Sequence, residues 1–328
     1  NFLEVIGRQK IFSLVCPKVL KVNYLIMKTI FSSKFLPFFL AIPFIGIYFV
    51  VRSLPVEPCD FLHEETYNLE GEIDYCGPGD AGFVDLSIRR WPMSLDFRAL
   101  DPLEVGKPCR FEMNIKQADG SPLAASDVAL SHTRKIHLLA IDPSLQDYQH
   151  LHPEADPLFK GIWRFTLTPK KAGNYQVFLD LIPIRSPRRV LLGTSFKVSG
   201  KSEAPYLKEG STLVSQGNRT FKIKRLENEG SGSEIMIKFT AVNEQGDDLP
   251  LRPVMGAFAH MVAFEPNLKG FAHLHPLEYE PPKSGDDARS GPLTFSFKSP
   301  DSGVYRLWAQ VKVGDDKEEC FLPFDLKI

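Results

Sequence analysis

Two segments of this sequence carry the same histidine pattern. His137 is followed, after twelve residues, by His150-Leu151-His152-Pro153. His260 is followed, after twelve residues, by His273-Leu274-His275-Pro276. Five residues ahead of the leading histidine stand His132 in the first copy and Met255 in the second. Seven of the 8 histidines fall in these two segments. Neutral imidazole is the commonest metal ligand among side chains. The candidate sets are therefore His132, His137, His150 and His152 in one copy, and Met255, His260, His273 and His275 in the other. An all-imidazole set suits Cu(II), Zn or Ni, and a thioether among imidazoles favours Cu(I) because soft sulfur selects it. Copper is the expected metal and zinc the alternative. Neither set includes the cysteine that a blue-copper electron-transfer centre requires.

Strands are the elements that must position these rings. Side chains alternate along a strand, so His150 and His152 share a face. Pro153 cannot donate to a ladder and ends the strand. Residues 136–141 are apolar apart from His137 and read as a strand buried on both faces, returning through a turn at 142–147. If Ile141 pairs with Tyr148, His137 faces His152 and all three histidines meet on one face. The same holds in the second copy if Phe264 pairs with Phe271. A slip of one residue would send His137 to the opposite face and destroy the site. Two histidines flanking a turn can instead pin a loop by bonding backbone carbonyls, and a duplicated domain copies such pins.

The rest of the chain repeats along with the histidines. Phe111, Met113 and Ile115 alternate with polar residues, and Ile235, Ile237 and Phe239 answer them. Trp163, Phe165 and Leu167 are matched in part by Phe295 and Phe297, and Gly173-Asn174-Tyr175 by Gly303-Val304-Tyr305. The second copy carries an extra loop at 278–291 rich in Pro, Gly and charge. Period-two runs with frequent turn signals and 26 prolines predict an all-β chain. The expected fold is two tandem β-sandwiches, immunoglobulin-like or cupredoxin-like, over 96–198 and 217–328, joined by a polar linker at 199–216.

Ahead of the repeats, residues 35–51 form an apolar run with Lys28 and Lys34 before it and Arg52 after it. It predicts a transmembrane anchor over 35–52 with the C-terminal part exported, so the membrane is an expected partner. A cleaved signal peptide and a secreted protein are the alternative. Residues 1–34 precede it, with Met27 a natural start. Residues 53–95 read as a connecting segment in which Cys59 and Cys76 form a disulfide; Cys59, His63 and Cys76 sharing a metal is the lesser reading. Cys109 and Cys320 are expected as small buried strand residues. A net charge of -1 without a basic stripe speaks against nucleic acid. There is no phosphate loop and no nucleophile elbow.

Residues 255–260, Met-Gly-Ala-Phe-Ala-His, and 271–276, Phe-Ala-His-Leu-His-Pro, resemble a motif of bacterial exported or membrane-anchored proteins. The likeness covers 255–311 well and 132–180 less well, where His132 replaces Met. It implies cupredoxin-like or immunoglobulin-like β-sandwich modules, some associated with metal handling, and implies no enzymatic activity. The expected function is a membrane-anchored, non-catalytic protein that binds copper or a similar metal for sequestration, delivery or sensing. A structural or interaction protein with a protein partner is the alternative, and a copper-dependent oxygenase a third reading.

Overall fold

A computed structural model describes residues 36–54, 66–67, 73–74, 82–88, 91–185, 188–226, 234–278 and 287–328. Cys59, His63 and Cys76 lie outside these residues, so the expected disulfide does too. The chain divides into a unit at Asn1–Pro58 and a unit at Cys59–Ile328.

The first unit contributes helix α1, Leu36–Ser53, with Pro43 inside it and Arg52 in its last turn. Its 18 residues at about 1.5 Å each give roughly 27 Å, against a hydrocarbon core of roughly 30 Å. No helix among the described residues is long and apolar enough to cross a membrane.

The second unit is all-β. It begins with β1 (Thr66–Tyr67), β2 (Ile73–Asp74) and β3 (Val84–Asp85). The first repeat supplies β4 (Ser94–Ala99), β5 (Cys109–Lys116), β6 (Ile136–Ile141), β7 (Tyr148–Leu151), β8 (Glu154–Ala155), β9 (Ile162–Leu167), β10 (Gly173–Leu181) and β11 (Val190–Val198). These build two four-stranded sheets, β4-β5-β9-β8 and β11-β10-β6-β7. The second repeat supplies β12 (Leu213–Gln216), β13 (Arg219–Leu226), β14 (Glu234–Asn243), β15 (Leu251–Arg252), β16 (His260–Phe264), β17 (Gly270–Leu274), β18 (Leu293–Lys298), β19 (Val304–Val313) and β20 (Cys320–Lys327). Its sheets are β12-β13-β14-β18 and β15-β19-β16-β17-β3, with β20 also on β19. Strand β12 lies within the stretch read as a linker, and β3 within the stretch read as a connector.

Each repeat encloses its own core between its two sheets, the packing of a β-sandwich. Phe111, Met113, Leu138, Ala140, Val177 and Leu179 meet in the first; Ile237, Phe295, Met261, Ala263, Leu307 and Phe324 meet in the second. The alternation along β5 and β14 places their apolar residues inward as expected. Cys109 is buried and Cys320 half-buried, both in strands, and both are free thiols.

A third core joins the two modules. Leu139, Ile141, Tyr148 and Phe178 of the first pack on Val262, Phe264, Phe271 and Trp308 of the second. Tyr148 contacts Phe264 and Trp308 with ring centroids 5.5 and 5.7 Å apart. Arg306 reaches across to the Leu145 carbonyl at 2.8 Å and pairs with Asp325 at 2.6 Å. This docking explains why β6 is buried along its whole length. Leu138 and Ala140 face its own sandwich; His137, Leu139 and Ile141 face the neighbouring module.

Candidate metal centre

The register that decides the site is the one the alternation requires. Ile141 pairs with Tyr148 and Leu139 with His150 in the β6–β7 hairpin. Phe264 pairs with Phe271 and Val262 with His273 in the β16–β17 hairpin. The first turn is clamped by the buried Asp142 carboxylate, which accepts from the backbone N–H groups of Ser144, Gln146 and Asp147 at 2.7–2.9 Å. Leu145 and Leu268 take the same left-handed turn conformation, φ 63° and 51°. At the far end of each hairpin, His132 and Met255 occupy matching left-handed positions, φ 50° and 46°. They lie within equivalent tight turns, closed by Ser131 on Arg134 and by Val254 on Ala257.

The result is two imidazole triads. His137, His150 and His152 each offer a nitrogen within 4.8 Å of the others, and so do His260, His273 and His275. Either triad could hold a metal ion. The inward nitrogens of His137 and His150 are 3.0 Å apart, and those of His260 and His273 are 3.3 Å apart. Two ligands of a tetrahedral ion with bonds of 2.0–2.1 Å stand about 3.3 Å apart.

The outer nitrogens set the tautomers. His137 Nε2 donates to the Ser131 carbonyl at 2.7 Å, and His260 Nε2 to the Val254 carbonyl at 2.9 Å. His150 Nδ1 donates across the module boundary to Gln310 Oε1 at 2.8 Å. Gln310 has no freedom to flip, because its amide group donates to Glu319. With the outer nitrogens protonated, neutral His137 and His150 direct their inner ring nitrogens at each other at 3.0 Å. Such an arrangement is repulsive unless a cation sits between them.

A proton is poorly suited to that place. Burial holds His150 well below the usual imidazole range, and repulsion from His137 and His152 deepens the shift. His132 and His273 are lowered in the same way, by burial first and then by His275. Burial brings His152 down to about 3, with His137 adding to the effect. Burial brings His260 down to about 4, although its bond to Val254 works the other way. His152 Nε2 is buried without a hydrogen-bond partner.

The triads do not stand apart. The His137 and His150 rings lie 6.0 and 5.9 Å from the His273 ring. His132 lies 5.9 Å from His137 of its own module, but 4.0, 5.4 and 5.8 Å from His275, His260 and His273. Its nearest neighbours are thus the triad of the other module. On the solvent side, His152 lines a cavity of about 500 Å³ together with Leu100, Arg110, Leu151, Glu154 and Arg164.

The partners of the triads across the module boundary escaped sequence reasoning. His150 bonds Gln310, and His273 Nδ1 lies 3.8 Å from Asp180. Asp180 pairs with His137 across β10 and β6, and Gln310 with His260 across β19 and β16, so the two are equivalent positions. Arg189 clamps Asp180 at 2.5 and 2.9 Å, where Glu319 holds Gln310. The available signal was a polar residue at a matching place in two apolar stretches, Asp180 within 177–182 and Gln310 within 307–311.

Comparison with known proteins places the chain in a family. It belongs to the family described as Domain of unknown function (DUF8832), which matches residues 93–190 and 215–328. No curated protein sequence matches it. Among solved structures it is similar to a DUF4785 family protein from Legionella pneumophila subsp. pneumophila str. Philadelphia 1, at 11% identity and a TM-score of 0.24, over 73% of this chain and 57% of that one. It is also similar to the fibronectin(III)-like modules of Clostridium thermocellum CbhA, at 12% identity and a TM-score of 0.18, over 71% of this chain and 93% of that one. The chain thus spans little more than half the length of the first of these.

Proposed function

We propose that this member of the DUF8832 family is a non-catalytic transition-metal binder, with copper its preferred ion and zinc the alternative. One observation carries the reading: the imidazole nitrogens of each triad lie within 4.8 Å of one another, and those of His137 and His150 are 3.0 Å apart in a buried site. An ion bound there removes the repulsion, and imidazole nitrogen is a good donor to Cu(II) and Zn(II). The second triad repeats the arrangement at 3.3 Å. Sequestration, delivery or sensing fits a chain whose ligands are all imidazoles held on rigid strands. Export, with anchoring through residues 35–52, belongs to the same proposal and rests on the apolar run there; membrane fractionation of the full chain tests it.

The experiment is metal analysis of the full chain after loading with Cu(II) or Zn(II) and desalting. At least one equivalent should be retained, and His150→Ala and His273→Ala should each reduce it. Retention below one equivalent of both metals, or no loss in either variant, overturns the reading. The second reading, a purely structural role for the histidines, is favoured by the backbone bonds of His137 and His260. It predicts the same unfolding temperature with and without added metal.

A further inference from the structure

The two triads face one another. We infer that they form one paired-metal chamber at the junction of the modules, holding two ions close enough to interact, with His132 as the wall between them. This inference rests on the metal-binding reading above and adds a claim about the number of ions and their separation.

Three observations carry it. The docking is reciprocal: His150 of the first module bonds Gln310 of the second, and His273 of the second lies beside Asp180 of the first. A ring from each triad therefore stands against the other module, and the rings at the boundary come within 5.9–6.0 Å. His132 touches both groups, 5.9 Å from His137 and 4.0 Å from His275. Finally, an apolar core that includes Leu139, Tyr148, Val262 and Trp308 joins the modules beside the histidines.

The distances set an upper limit on the separation of the ions. An ion bonded to an imidazole nitrogen at 2.0–2.1 Å lies about 3.2 Å from the ring centroid. With the His150 and His273 centroids 5.9 Å apart, two ions so bound lie at most about 12 Å from each other. Two sites placed on independently tumbling domains would have no such limit. The chamber is also unequal at its two ends. His152 of the first triad borders the solvent-side cavity, whereas His260, His273 and His275 are all buried. The first triad is therefore the more open of the two.

Titration of the full chain with Cu(II) sulfate, followed by electron paramagnetic resonance, tests the inference. The expected result is binding of two equivalents, with a dipolar coupling that corresponds to a separation of about 12 Å or less and appears only as the second equivalent is added. His273→Ala should bind one equivalent and give the spectrum of an isolated ion. Since that variant can fail to fold, the wild-type titration is decisive by itself. Two bound ions without coupling, or one bound ion at saturation, overturn the paired chamber while leaving metal binding intact. No bound copper or zinc overturns both.

Discussion

His150 Nδ1 donates to Gln310 Oε1 at 2.8 Å, a bond between side chains 160 residues apart in different modules. A histidine of the first triad is thus oriented by the second module, and the bond directs His150 Nε2 toward His137. Outer hydrogen bonds of this kind hold the tautomer and the ring plane of a metal-ligating histidine. Gln310→Leu should lower metal affinity at the first triad by about 10–100-fold. It should also destabilise the metal-free protein by about 1–3 kcal/mol, because a buried N–H loses its acceptor. Chelator competition and urea unfolding measure the two effects; unchanged affinity would show that the ring needs no such support.

Asp180 and Arg189 are both buried and form a bidentate pair. Removing one partner leaves a charge without its counter-ion in a site of low polarity. Arg189→Met should therefore cost about 3–5 kcal/mol. Asp180→Leu combined with Arg189→Met should recover much of that loss, since neither charge then remains buried alone. A double-mutant cycle by denaturant unfolding checks this, and strictly additive losses would count against it.

The histidines predict a specific dependence on pH. In the unfolded chain they titrate near the ordinary value of 6.5, whereas in the fold His260 is down at about 4 and His152 at about 3. Below pH 6.5 the unfolded state binds protons that the folded state refuses, so folding stability falls with pH. The metal-free protein should lose stability progressively from about pH 6.5 toward pH 4–3, with no contribution from these groups above pH 7. Urea midpoints measured on chelator-treated protein between pH 8 and 4 test it; a flat profile between 7 and 5 is the contrary result.

Gly270 makes a close backbone approach at the edge of the sheet that carries the second triad. A Cβ there would lie 1.8 Å from the Val84 carbonyl oxygen, where β3 pairs with β17. Gly270→Ala must push β3 off the sheet or shift the β17 hairpin that carries His273. The expected cost is about 1–3 kcal/mol, as for overpacking. Faster amide exchange at Phe271, which pairs with Val84, would locate the damage. Unchanged stability and exchange would mean that β3 adjusts freely.

Much of the candidate site was legible because strand geometry is local. The spacing of His150 and His152 put them on one face, and the apolar run of 136–141 with the turn at 142–147 predicted the pairing of Ile141 with Tyr148 that the fold contains. The duplication carried the same inference to Phe264 and Phe271. Asp180 and Gln310 were not found, since a polar residue within an apolar stretch does not say what lies opposite it. His132 and Met255 were grouped with the histidines nearest in sequence, yet the His132 ring lies closest to His275.

The sequence by itself determined the hairpins, their register and the face on which each set of histidines stands, because a period of two assigns faces without reference to distant residues. Only the tertiary structure decided what covers those faces. Leu139 and Tyr148 could have packed on any apolar surface; they pack on Val262, Phe264 and Trp308. That docking turns two separate histidine faces toward each other and brings Gln310 to His150 and Asp180 toward His273. Contacts between residues more than ninety positions apart follow from the complementarity of two folded surfaces, which no local pattern in the chain records.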